Sequence, residues 1–150
     1  MNFKCLLPAL FCILLRSHSI EMLLEISVDE VYCEACIASM KKKSLTGIKK
    51  VSDYTKPATA MFELKSDVDL KETFKALKDN NYTVRKSWLL VRDAKLDETP
   101  AGPMIKTASQ SICTKDISQA DLDTKPWFRG ELLLEDNLFC LKPALPLEAQ

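Results

Sequence analysis

Between Leu24 and Val91 the apolar residues keep changing period, and that switching restricts the fold more than any other feature of the chain. Leu24-Glu25-Ile26-Ser27-Val28 alternates at period two, which predicts a half-buried strand with Leu24, Ile26 and Val28 inward. Ile37 to Leu45 contains no Gly or Pro, has cations in its last turns and meets Gly47 just beyond, which predicts a helix. Ile48 to Tyr54 is a weaker strand, Thr55-Lys56-Pro57 a turn, and Ala58 to Lys65 a strand with Ala60, Phe62 and Leu64 on one face. Leu70, Phe74 and Leu77, then Tyr82, fall at helical spacing behind a cap at Ser66 or Asp67, and Asn80-Asn81 suits the helix stop. Thr83 to Val91 reads as a last strand.

The order βαββαβ predicts an α+β chain: a ferredoxin-like βαββαβ sandwich, two helices on one face of a four-stranded antiparallel sheet. It would occupy residues 20–92. Residues 93–103 (DAKLDETPAGP) read as a polar linker and 104–150 as a C-terminal extension. From Asp93 onward six Lys+Arg face ten Asp+Glu, against thirteen and eleven over residues 20–92. Within the extension, Glu131–Leu134 and Leu138–Leu141 flank Glu135-Asp136-Asn137 and suggest a hairpin. Trp127-Phe128 is a candidate anchor onto the main domain.

Residues 1–19 have the layout of a secretory signal peptide. One cation is followed by the apolar run Cys5 to Leu15 and then by small residues at Ser17 and Ser19. The run is too short to span a bilayer, which takes about 20 residues. The expectation is therefore export to a periplasm or extracellular space, with no stable membrane span after cleavage. Four cysteines would remain: Cys33, Cys36, Cys113 and Cys140. The only histidine, His18, would be lost, which excludes Ser-His-Asp and Cys-His catalysis and His-ligated zinc. Three glycines cannot build a phosphate cradle, and 21 Lys+Arg against 21 Asp+Glu argue against nucleic acid.

Cys33-Glu34-Ala35-Cys36, at a strand-to-helix junction, is the constellation with evident chemistry. Placed in the first turn of a helix, Cys36 lies among unpaired N–H groups that favour thiolate. Two sulfurs three residues apart can converge on one soft ion or exchange electrons as a dithiol. A purely structural local disulfide is the bland alternative. Cys113 and Cys140 are expected to staple the extension as a disulfide. Lys41, Lys42, Lys43, Lys49 and Lys50 are either a solvated face or a docking patch for an acidic partner.

With C-x-x-C after the first strand of a βαββαβ order, residues 22–91 resemble the heavy-metal-associated domain of copper chaperones and periplasmic mercury-binding proteins. The resemblance makes Cys33 and Cys36 the metal ligands and Val31 the packing residue below them. Gly47-Ile48 would open the second strand, and Tyr82, after Asn81, would stand near the metal together with Tyr32. Where the family has Gly-Met-Thr-Cys, this chain has Glu30-Val31-Tyr32-Cys33. The resemblance implies a protein that binds Cu(I), with Hg(II) or Zn(II) as alternatives, and passes it on by ligand exchange without chemical turnover, so no enzyme is expected; the lysine patch would make the accepting partner protein acidic. Two rival readings use the same residues. One is a thiol-disulfide oxidoreductase in which Cys33 attacks and Cys36 resolves; the other is an interaction module that carries no metal.

Overall fold

The computed structural model describes residues 20–52 and 59–145. The expected signal segment and the Thr55-Lys56-Pro57 turn lie outside these residues.

Period-two patterning forms the strands it predicts. β1 (Glu21–Val28) buries Met22, Leu24, Ile26 and Val28. β2 (Ile48–Ser52) buries Val51, and β3 (Thr59–Leu64) buries Ala60, Phe62 and Leu64. Helix α1 covers Glu34–Lys41, three residues earlier than predicted, with Ile37 and Met40 inward. Helix α2 (Leu70–Asp79) is capped by Asp69, whose side chain accepts from the Lys71 N–H at 2.9 Å, rather than by Ser66 or Asp67. It ends as Asn81 takes a left-handed φ of 64°. β4 runs from Val84 to Arg92.

Through Arg92 the elements alternate as β1–α1–β2–β3–α2–β4, yet they do not form the small ferredoxin-like sandwich expected. The sheet is mixed and nine-stranded, ordered β2-β3-β1-β4-β8-β9-β7-β6-β5. The extension supplies β5 (Leu96–Thr99), β6 (Gly102–Lys106), β7 (Ser111–Thr114), the short helix α3 (Gln119–Leu122), β8 (Phe128–Glu135) and β9 (Leu138–Pro143). In a closed four-stranded sandwich β4 would present a bare edge; here Trp88–Val91 pair with Phe128–Glu131 of β8. Pairing satisfies the main-chain groups that an edge would leave open.

The expected linker at 93–103 is also corrected, because these residues contain β5 and the start of β6. β5 pairs with β6 from Leu96↔Ile105 to Thr99↔Gly102. Its polar composition reflects an outer edge strand, with Asp97 and Glu98 exposed, rather than missing structure. β8 and β9 form an antiparallel pair turning at Asp136-Asn137, both with positive φ, where the sequence suggested a hairpin.

Residues 104–145 therefore share one sheet and one core with residues 20–92. One core runs from Leu24, Phe62 and Leu89 to Ile105, Ile112 and Leu141. Val68, just before α2, accepts at its carbonyl from Ser109 Oγ (2.6 Å) and Gln110 Nε2 (3.0 Å). The Phe74 ring of α2 stacks on Phe139 of β9 at 5.2 Å. Phe128 is buried, while Trp127 lies under the Arg92 guanidinium at 4.3 Å.

Candidate dithiol site

β1 delivers the chain to one end of the sheet, and the loop Asp29–Tyr32 carries it to α1. Two contacts tie this loop to the α2–β4 connection. The Asp29 carboxylate accepts from Arg85, with Oδ2 2.6 Å from Nη2, and Glu30 Oε2 accepts from the Thr83 N–H at 2.8 Å. The Arg85 hydrogen bond holds the Asp29 carboxyl below the usual carboxylate range, and the Thr83 N–H does the same for Glu30. Beneath the loop, Val31 is fully buried.

Cys33 is the N-cap of α1, with extended φ and ψ and no side-chain cap bond. Cys36 is in the first turn, its N–H donating to the Cys33 carbonyl at 3.1 Å. The two Sγ atoms stand 2.7 Å apart, both are free thiols, and both are partly exposed. The thiol hydrogen bond from Cys33 lowers the Cys36 pKa, and main-chain N–H groups of Tyr32, Cys33 and Cys36 reinforce it. Either sulfur can be the donor of this contact, and the lowered pKa favours thiolate character at Cys36.

The chemistry open to the pair follows from its separation. A disulfide needs about 2.05 Å between sulfurs. An ion held by two metal–sulfur bonds of about 2.3 Å sets them roughly 3.8–4.6 Å apart, depending on the angle. The observed 2.7 Å lies between these. Among the described residues no group of three or more His, Cys, Asp or Glu is placed to hold a metal. The chain's own donors at this site are therefore the two sulfurs. Such a set suits soft ions content with two ligands, Cu(I) or Hg(II), and suits Zn(II), which takes four, less well.

The two tyrosines expected beside the pair differ in exposure. Tyr32 points to solvent and is 74% exposed. Tyr82 is buried, with Lys43 Nζ 4.7 Å above its ring. Of the expected cation patch, Lys49 pairs with Glu63 at 2.7 Å, near the Ile48↔Leu64 pairing. That is the opposite end of the sheet from Ser27↔Thr59, where β1 hands over to the cysteine loop. The charged groups nearest the pair in sequence are the carboxylates of Asp29, Glu30 and Glu34. Cys113 and Cys140 are joined as a disulfide between directly opposed residues of the parallel strands β7 and β9. Sequence reasoning had no signal for this parallel register, which depends on β8 and β9 folding back.

No protein family, no curated protein and no solved structure matches the chain. Among the described residues no helix is long and apolar enough to cross a membrane.

Proposed function

We propose that this is an exported protein that carries one soft metal ion, Cu(I) before Hg(II), between Cys33 and Cys36 and releases it by ligand exchange to a partner protein's thiols. The convergence of two partly exposed sulfurs at 2.7 Å, on the opening turn of a helix, carries the reading. Cys36, on the opening turn of the helix, is the ion's resting ligand. Cys33, on the loop side, has the freedom to let go and be replaced by an incoming thiolate. No bond of the cargo is chemically transformed, so no catalytic turnover is involved.

Titration of the reduced protein with Cu(I), in competition with a chromophoric chelator, is the test. One equivalent bound by the native chain and none by the Cys33→Ser, Cys36→Ser double variant is the expected outcome. Failure of the native chain to compete with any Cu(I) or Hg(II) chelator removes the proposal.

A second reading draws on the short sulfur contact and the lowered Cys36 pKa. The Cys36 thiolate attacks a substrate disulfide, one substrate thiol leaves, and Cys33 then displaces the second to close the Cys33–Cys36 disulfide. The substrate disulfide is reduced by two electrons and the protein dithiol is oxidised by two. Reduction of insulin by the dithiol form, lost in Cys36→Ser, would favour this reading over metal carriage.

A further inference from the structure

β4 and β8 separate at the end of the sheet where β1 leads into the cysteine loop. β4 and β8 pair only from Trp88↔Glu131 to Val91↔Phe128, at one end of both strands. At the next rung, Ser87 faces Leu132, and the Ser87 hydroxyl donates to the Leu132 carbonyl at 3.1 Å. A side chain has taken the place of a ladder bond, and beyond it no pairing joins Val84–Lys86 to Leu133–Glu135. Each strand remains paired on its other side, β4 with β1 and β8 with β9. Two strand edges therefore face one another across a groove of about 350 Å³, floored by Phe74, Leu132 and Phe139.

Leu134 shows that no described residue occupies the groove. Leu132 and Leu134 lie two apart on one strand, so they share the sheet face that packs inward. Leu132 is buried, yet Leu134 is 59% exposed, with none of the described residues covering it. Charges on the rim are largely neutralised: Arg85 is held by Asp29 and Glu131 by Lys142. Lys86 has no ion-pair partner among the described residues. The rim leads directly to the cysteine loop, since Val84 pairs with Val28 and Arg85 grips Asp29.

We infer that the β4–β8 fork is a docking groove for an extended segment of a partner protein. That segment adds as a strand against the open edges, places apolar residues at every second position over Leu134 and Phe139, and sets an acidic residue against Lys86. Unpaired main-chain donors and acceptors call for a strand, and the uncovered leucine calls for an alternating apolar face. The inference rests on the carrier reading for its purpose, which is to hold the partner's thiols near Cys33 and Cys36. Its test does not need metal.

The probe is a phage-displayed library of random decapeptides, panned against the purified, reduced, metal-free protein. Enriched sequences are expected to be apolar at alternate positions and to carry Asp or Glu. The matching synthetic peptides should lose at least tenfold in affinity for Leu134→Glu and for Lys86→Glu, and bind unchanged to the Cys33→Ser, Cys36→Ser variant. Amide hydrogen exchange at residues 84–86 and 133–135 should be fast in the free protein and slow with peptide bound. Peptides that bind Leu134→Glu as well as the native chain, a selection without alternating sequences, or edge amides already protected in the free protein each overturn the groove. Loss of the groove with retained Cu(I) uptake leaves the carrier reading standing; loss of uptake with retained peptide binding does the reverse.

Discussion

At the scale of single residues, reactivity rests on an asymmetry between two chemically identical side chains. The hydrogen bond shared with Cys33 lowers the pKa of Cys36. Its alkylation by iodoacetamide should therefore reach half-maximal rate below the pH of an ordinary thiol, near 8.5. Cys33→Ala removes the donor and should move that midpoint upward, whereas Cys33→Ser retains a hydroxyl donor and should move it less. Identical profiles for all three proteins would refute the assignment. Gly47 is a second such position. Its φ is +82°, and a Cβ there would lie 2.1 Å from Val68 Cγ2. Gly47→Ala should cost about 2–4 kcal/mol by urea denaturation, from backbone strain and overpacking together. The alternation at Leu24–Val28 exposed its buried positions to sequence reading because a strand's side chains must take opposite faces. That Tyr32 is exposed and Tyr82 buried had no such signal, because it depends on how the loops and helices pack.

At the scale of elements, the outer face of the sheet is tied by an ion pair that crosses a strand. Glu25 of β1 is only 7% exposed, and Arg129 of β8 reaches it at 3.1 Å over the Trp88 ring of β4. A double-mutant cycle of Glu25→Gln and Arg129→Met should show coupling of about 1–3 kcal/mol. This is less than for a fully buried pair, because the Arg129 side chain is 28% exposed. Coupling near zero would mean that the two strands are held by their ladder alone. Helix α2 was legible because its apolar face and polar cap agree. Helix α1 was read three residues late because its N-cap is Cys33, which makes no side-chain cap bond and carries none of the usual Ser, Thr, Asp or Asn signature. The strands of 4–5 residues at β5–β7 were missed because so few residues show no clear period, and an edge strand is polar by necessity.

At the scale of the whole molecule, the extension makes the protein one cooperative unit. A chain ending at Arg92 would strip β8 from β4 and the Phe139 ring from Phe74. It should fail to give a sharp unfolding transition by circular dichroism; a stable, cooperative 20–92 fragment would restore the two-part view. Cys113→Ser with Cys140→Ser opens a loop spanning 27 residues and should cost about 3–4 kcal/mol in the chain-entropy account. Because the core is continuous, far-ultraviolet dichroism and tryptophan fluorescence from Trp88 and Trp127 should still report a single shared midpoint. Separate midpoints would show that the two halves melt apart.

Local periodicity, capping and spacing already determined where β1, β3, α2 and β4 would form, and that two sulfurs would sit at the head of a helix. These depend on neighbours within a turn or a pleat, and the chain carries them in order. Which edge β4 would present, which strand would lie beside Cys113 and where the sheet would split were decided only in the tertiary structure. Each is a pairing between segments tens of residues apart, selected by shared burial and mutual main-chain satisfaction rather than by any local pattern.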